Sequence, residues 1–429
     1  MSKNSSKDLN LEPAAGNGLL HRRVFLSRSA AMVGGLGLLS AQASKADTLE
    51  VPPWMLEPGA HMSGYGQRSE YEQGTQRIIG SPPGLIGNGV SFTPLEKLHG
   101  TITPNSLHFE RHHSGVPNIN PDEHRLLIHG LVSRPLVFTI DDLMRYPTVT
   151  KTQFLECSGN SRGNLVEPTP QQAPLGVLHG LVSCSEWTGV PLSVLMEEAG
   201  VNPEGRWVLA EGADAAAMSR SIPLEKIMDD AIIALYQNGE RLRPGNGYPM
   251  RLFLPGWEGN MSVKWLRRLK VNTGPTMTRD ETSHYTDVLA NGRSRIFTFP
   301  MGVKSIITSP SVGLNLNSGP GVYEIIGLAW SGAGRITRVE VSADNGNTWA
   351  EAAISGPALD KSLTRFRMAW NWNGGSAILK SRAFDETGAE QPLREELISE
   401  YGQPRNYHNN AIQAWSIEAA NGEVTNVYA

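Results

Sequence analysis

Cysteine is scarce in this chain: Cys157 and Cys184 are the only two in 429 residues. That excludes a disulfide-stapled scaffold, although the two could pair with each other in an oxidising compartment. No Cys-x-x-Cys-His occurs, so the chain attaches no c-type haem of its own. The first apolar run, Ala30 to Leu39, is diluted by Gly34, Gly35 and Gly37. It falls far short of the ~20 apolar residues that span a bilayer, and no later run is long enough, so no membrane segment is expected. Positive charge is not in excess either. The net charge is −4, and the first 46 residues hold six Lys or Arg against two Asp or Glu, leaving 32 against 40 in the rest. A nucleic-acid binder would be basic, and this chain is not. His108, His112 and His113 cluster without a helical His-Glu-x-x-His arrangement in a segment flanked by Pro and Gly, which argues against zinc.

What is present is a globular composition, 39% hydrophobic with 45 glycines and 28 prolines, with room for two or three domains rich in strands and turns. The stretch with most chemistry runs from Phe154 to Gly163. A strand-like run, Thr152 to Leu155, ends at Cys157, and Ser158, Gly159, Asn160, Ser161, Arg162 and Gly163 follow. A thiol at the tip of a rigid strand, with glycines that let a bulky group approach the backbone, suits a soft metal. The nearby cation Arg162 would favour the thiolate. Against this, a free cysteine is most often a small buried hydrophobe, and this stretch alone does not decide between the two.

Upstream, His21-Arg22-Arg23-Val24-Phe25-Leu26-Ser27 opens the weakly apolar run, and Ala43 and Ala46 each end a small-residue cleavage site. Residues 1–46 therefore read as a twin-arginine signal peptide for export of a folded protein to the periplasm. Residues 47–105, rich in Gly and Pro, read as an extended arm. Pro191 to Gly200 reads as a short helix, with Pro at its start, Leu192, Leu195 and Met196 on one face, and Gly at its stop. From about Ile306 short alternating strands begin. Thr337, Val339 and Val341 lead to an Asp344-Asn345-Gly346-Asn347 turn, and Phe366, Met368 and Trp370 alternate with polar neighbours. That pattern indicates a β-sandwich of immunoglobulin type.

The stretch Leu155-Glu156-Cys157-Ser158-Gly159-Asn160-Ser161-Arg162-Gly163 resembles the molybdenum-ligating segment of the sulfite oxidase family. Phe109-Glu110-Arg111-His112-His113 is similar to that family's Arg-Asn-His segment, with Arg111 on the arginine, His112 replacing the asparagine and His113 on the histidine. Three further elements follow in the family's order: Glu211 to Asp214, Asn246 to Arg251 (with Asn246 where the family usually has histidine), and Ser262-Val263-Lys264. The resemblance implies a molybdenum–molybdopterin cofactor, with Cys157 as metal ligand and Arg111 and Arg162 beside the substrate. Phe109, Glu110, Arg111, His112, His113, Asp214, Asn246, Arg251, Ser262, Val263 and Lys264 would surround the pterin. A phosphate-bearing ligand needs cations and fixed donors, which Arg251, Lys264 and the Gly-rich turns supply.

The fold so implied is an α+β molybdopterin-binding domain over 106–275, a linker over 276–305 and an immunoglobulin-like dimerisation domain over 306–425. The linker segment Thr282 to Asp287 corresponds to one in which an aromatic residue approaches the family's active site. It continues as Val288 to Gly292 and lacks the Asp-Tyr pair of plain sulfite oxidases. That departure is nearer to the molybdoprotein subunits of bacterial sulfane dehydrogenases, which serve thiosulfate oxidation in the Sox system. The activity implied is oxidation of sulfur, on a sulfur-carrier protein or as sulfite, with electrons passed to a separate c-type cytochrome. The implied assembly is a homodimer through the C-terminal domain or a heterotetramer with the cytochrome. Alternatives are a dehydrogenase of free sulfite, a reductase running in reverse, and an exported non-catalytic binding module.

Overall fold

Period-two alternation builds most of this molecule, and the computed structural model places its strands in two sheet-rich bodies. The structure describes residues 13–21, 51–84, 86–402, 407–419 and 421–429. The twin-arginine pair, the apolar run and both cleavage sites lie outside the described residues. Among the described residues no helix is long and apolar enough to cross a membrane.

The first body holds two five-stranded sheets. One runs in the order Ser219–Pro223, Trp207–Gly212, Leu266–Asn272, Leu126–Gly130, Leu136–Phe138, and its single parallel pairing joins Leu266–Asn272 to Leu126–Gly130. The other is built on Val149–Glu156, Val182–Pro191 and Ile232–Gln237, with Arg251–Phe253 beside the last. The helix expected after Pro191 spans Leu192–Ala199, buries Leu192, Leu195 and Met196, and ends on Gly200 at φ +68°, a left-handed stop that favours glycine. Its apolar face packs with Ile128, Val208 and Ile233 between the sheets.

The second body is a sandwich. One sheet contains Lys304–Ser309, Gly321–Trp330 and Thr364–Trp372; the other contains Ile336–Ser342, Ala377–Asp385, Ala414–Ile417 and Val424–Val427. Trp330, Trp370 and Trp415, all fully buried, fill the space between them. The strand-turn-strand expected around Asp344 forms as read, with Asn345 and Gly346 both at positive φ. A pair of short strands from the start of the chain, Pro13–Ala15 and Leu19–Leu20, joins the first sheet.

Two segments carry more structure than their composition suggests. The arm is exposed around Trp54 and Met62, but Ile78–Gly80 and Gly89–Phe92 form a three-stranded sheet with Glu110–His112. The linker contains a helix, Arg279–Ser283, whose capping box joins Thr278 to Glu281. It then lays Phe297 and Phe299 against Trp207 and Trp257, an aromatic cluster that packs the linker on the first body.

Candidate active site

Strand Val149–Glu156 pairs with Val182–Pro191 along its length, and the chain leaves the sheet at Cys157. The Cys157 N–H donates to the Leu181 carbonyl at 2.9 Å, and the turn closes as Asn160 N–H donates back to the Cys157 carbonyl at 2.9 Å. Beneath the turn, the buried Glu156 carboxylate accepts from the Trp330 indole (2.7 Å), from Asn160 Nδ2 (2.9 Å) and from Lys304 Nζ (3.5 Å). Lys304 also donates to Ser161 Oγ and to the Asn409 carbonyl, both at 2.7 Å. The His408 N–H holds the Ser158 carbonyl at 2.8 Å. Residues of the sandwich thus grip the cysteine turn from below and from one side.

Cys157 is half-buried and unpaired, and Cys184 is buried and unpaired. The disulfide left open by the sequence does not form. Cys184 stands opposite Phe154, three residues before Cys157, and its Sγ lies 3.4 Å from Ser362 Oγ in the domain seam. Burial raises the pKa of the Cys157 thiol; the Gly159 backbone N–H and the Arg111 charge oppose it. The cation acting on the thiol is therefore Arg111. Arg162, expected in that role, lies in the wall of a second cavity.

Beside Cys157 is a partly enclosed cavity. Phe109, Glu110, Arg111, His112, His113, Asp214, Asn246, Arg251, Ser262, Val263 and Lys264 all line it together with Cys157, so stretches more than 150 residues apart converge on one space. An outer cavity of about 1960 Å³, open to solvent, shares Arg111, His113 and Cys157 and adds Arg162, Arg279, His284 and Tyr407. Its cations outnumber its carboxylates, Glu167 and Asp280. Asn88 fixes Arg111 by accepting from its guanidinium at 2.5 Å.

A relay of polar contacts braces one wall. Arg77 pairs with Glu110 at 2.5 Å, Glu110 accepts from His112 Nε2 at 2.9 Å, and His112 Nδ1 accepts from Lys264 Nζ at 2.7 Å. Burial, with the charges of Lys264 and Arg111, lowers the His112 pKa and keeps the ring neutral, as this donor–acceptor order requires. Burial works against ionisation of Glu110, yet His112 and Arg77 hold its carboxyl down at about 2.

The same wall carries uncompensated charge. Arg251 is 3% exposed and donates to the carbonyls of Asn246 (2.9 Å) and Ser262 (2.7 Å). Lys264 donates to the Arg111 carbonyl at 3.0 Å. Neither cation makes an ion pair among the described residues. Burial draws Arg251 down to about 9 and Lys264 well below its usual range. Enclosed cations with no carboxylate in direct contact suit an anionic ligand. Gly245 and Gly259 are required by close packing of the wall itself: a Cβ on Gly245 would fall 2.5 Å from the Glu110 carboxylate, and one on Gly259 would fall 2.8 Å from the Glu156 carbonyl. His108 Nε2, buried and unpartnered, lines the same space. A thiol at one end and enclosed cations along the wall suit a soft metal held on an anionic organic group.

Sequence reasoning missed Asn88, His108, Gly245 and Tyr407. Tyr285, in the linker segment already singled out, lines both cavities, and the Arg220 guanidinium sits 4.5 Å from its ring centroid. Arg220 in turn pairs with the buried Glu258 at 3.2 Å, and Glu258 with His408 at 3.6 Å. Tyr407, 5.4 Å from Tyr285 between ring centroids, comes from the sandwich. Its only sequence signal is the polar, aromatic run Tyr407-His408-Asn409-Asn410 inside an otherwise alternating domain.

Comparison with known proteins gives two family matches. Residues 113–279 match the oxidoreductase molybdopterin binding domain, and residues 295–414 match the Mo-co oxidoreductase dimerisation domain. The sulfane dehydrogenase SoxCD from Paracoccus pantotrophus is similar in structure, with a TM-score of 0.85 and 46% identity, over 89% of this chain and 98% of that one. NADH nitrate reductase 1 of Nicotiana tabacum is 33% identical over 358 residues, 72% of this chain and 38% of that protein. The NADH nitrate reductase of Spinacia oleracea is 35% identical over 351 residues, 72% of this chain and 37% of that protein. The chain spans little more than a third of the length of these nitrate reductases.

Proposed function

This chain belongs to the sulfite oxidase family of molybdopterin-dependent oxidoreductases, and from that premise we propose that it is the molybdoprotein subunit of a periplasmic sulfane dehydrogenase. Its cofactor is molybdenum–molybdopterin. When bound, that group exchanges an oxygen atom and two electrons with a sulfur substrate.

The chain's own residues do the rest. Cys157 would offer its thiolate to the metal, while Arg251 and Lys264 would meet the anionic part of the cofactor. Arg111, aimed by Asn88, faces both cavities and would orient an anionic sulfur beside Cys157. Arg162 and Arg279 line the outer cavity and would draw such a substrate in from solvent. Electrons would leave to a separate c-type cytochrome, in a homodimer through the sandwich or a heterotetramer with that cytochrome.

The observation that carries this reading is the pairing of the Cys157 cavity with a wide cationic mouth, which supports sulfur delivered on a carrier protein better than a small free anion. Turnover of the metal-loaded protein tests it, with carrier-bound sulfane and with sulfite, and cytochrome c as acceptor. Faster turnover of the carrier-bound sulfur is expected. Preference for free sulfite would move the assignment to a sulfite dehydrogenase. Reoxidation by nitrate with neither sulfur substrate active would overturn sulfur oxidation altogether.

A further inference from the structure

Ahead of the twin-arginine pair, Pro13-Ala14-Ala15-Gly16-Asn17-Gly18-Leu19-Leu20 folds as a β-hairpin on the sandwich. Asn17 at φ +54° and Gly18 at φ +88° supply the left-handed pair that a tight hairpin turn needs. The hairpin occupies a definite place. Strand Ala353–Ser355 covers Arg365 to Arg367 on one edge of Thr364–Trp372, and Leu19 continues that edge opposite Trp370.

The contacts are numerous for so short a segment. The Gly18 carbonyl accepts from the Asn371 N–H at 2.8 Å, and the Asn17 carbonyl accepts from the Trp370 indole at 2.7 Å. In the other direction, Asn17 Nδ2 donates to the Ala343 carbonyl at 2.8 Å and the Gly16 N–H donates to Thr348 Oγ1 at 2.7 Å. The hairpin therefore ties both sheets together. Leu19 is 0% exposed within the sandwich core, and Leu20 is 3% exposed. Both glycines are demanded by fit: a Cβ would stand 2.2 Å from Asp344 Oδ2 at Gly16 and 2.1 Å from the Asn371 carbonyl at Gly18. A surface that demands glycine at 16 and 18 and buries Leu19 is a binding site for that peptide.

We propose that the C-terminal sandwich carries a peptide-binding site whose ligand is this chain's own segment 13–20, and that a filled site competes with recognition of the twin-arginine pair that follows it in sequence. Arg22 lies two residues beyond the buried Leu20, a reach of about 7 Å when fully extended, so a receptor gripping Arg22 to Leu26 competes with docking. Docking needs a folded sandwich, because its hydrogen-bond partners come from both sheets: Trp370 and Asn371 donate from one, and Ala343 and Thr348 accept beside the other. The competition half of the proposal rests on the export reading of residues 1–46; the site itself does not.

The test uses the full chain, with Gly18→Val and Leu19→Asp as variants that leave every sandwich residue intact. Hydrogen exchange of the Asn371 amide should be at least about tenfold faster in both variants than in wild type, with the Gly321–Trp330 ladder unchanged. Equal exchange in all three would overturn the site. Cell fractionation should show a larger periplasmic share for both variants, and an unchanged share would overturn the competition. Arg22→Lys with Arg23→Lys separates the premises. If that double variant also reaches the periplasm, the export reading has failed, and the exchange result still decides the site.

Discussion

Replacing Arg251 by methionine separates what an enclosed cation costs the protein from what it does for a ligand. Burial holds Arg251 at about 9 instead of its usual 12.5, with no acid paired to it among the described residues. At about 1.4 kcal/mol per pKa unit, keeping it charged at neutral pH costs the cofactor-free fold roughly 5 kcal/mol. Methionine removes that cost but strands the carbonyls of Asn246 and Ser262, at about 1–3 kcal/mol each. The two effects nearly cancel, so the cofactor-free variant should unfold within about 2 kcal/mol of wild type. The loaded protein should behave differently. There the variant loses a charge-assisted contact of roughly 1.5–3 kcal/mol, so cofactor affinity should fall about tenfold to a hundredfold. Denaturant melts of cofactor-free and loaded protein, with molybdenum and pterin content after gel filtration, measure both terms. Full cofactor retention and an unchanged loaded melt would refute the reasoning. A cofactor-free variant destabilised by much more than this would make Arg251 a brace for the turn between Asn246 and Ser262.

Three further outcomes are expected. Cys157→Ser should abolish turnover with the fold intact, since a hard hydroxyl replaces a thiolate poorly on a soft metal, while Cys184→Ser should keep metal and activity; assays beside metal analysis decide both. Arg111→Met should lower kcat/KM for an anionic sulfur substrate about tenfold to a hundredfold with metal content nearly unchanged, and unchanged steady-state kinetics would leave Arg111 structural. Acid should loosen the turn around Ser158. Burial opposes ionisation of Glu258, but Arg220, His408 and Asn260 hold its carboxyl at about 2, so its contribution is present above about 4.5 and is lost as pH falls towards 2. Cofactor release followed across that window should show the loss, and Glu258→Gln should shift or flatten it.

Much of this was legible because it is local. Strand alternation over Thr337 to Val341 and Phe366 to Trp370 marked the sandwich, and the Pro and Gly around Leu192–Ala199 set the ends of the helix. The cavity residues from Phe109 to Lys264 were named through motif resemblance, each motif being a contiguous stretch that carries its own turn. What escaped depends on partners distant in the chain. Arg162 follows Cys157 closely in the motif, yet the turn at Ser161, with φ +63°, directs it to the outer cavity and leaves Arg111 to act on the thiol. The segment before the twin arginines looks like a leader by composition, and nothing local reveals that Trp370 and Asn371 wait for its turn. The linker reads as irregular because its order comes from stacking Phe297 and Phe299 on tryptophans that belong to the first body.

These distant partners change the standing of the C-terminal domain, in which the sequence offered no ligand cluster. Glu156, the residue before the candidate ligand, is buried with Lys304 and Trp330 of the sandwich against its carboxylate. Lys304 in turn reaches Ser161 and Asn409, and the His408 N–H fixes Ser158. A carboxylate left there without its cation would cost several kcal/mol, enough to unsettle a turn that has to hold a thiol in one place. The molybdopterin-binding body alone would therefore present Cys157 on a turn missing half its supports. Tyr407 adds a wall to the outer cavity from the same domain. Shaping the site is thus a task of the sandwich, and a change at its core can reach the chemistry through Lys304 without touching a cavity residue.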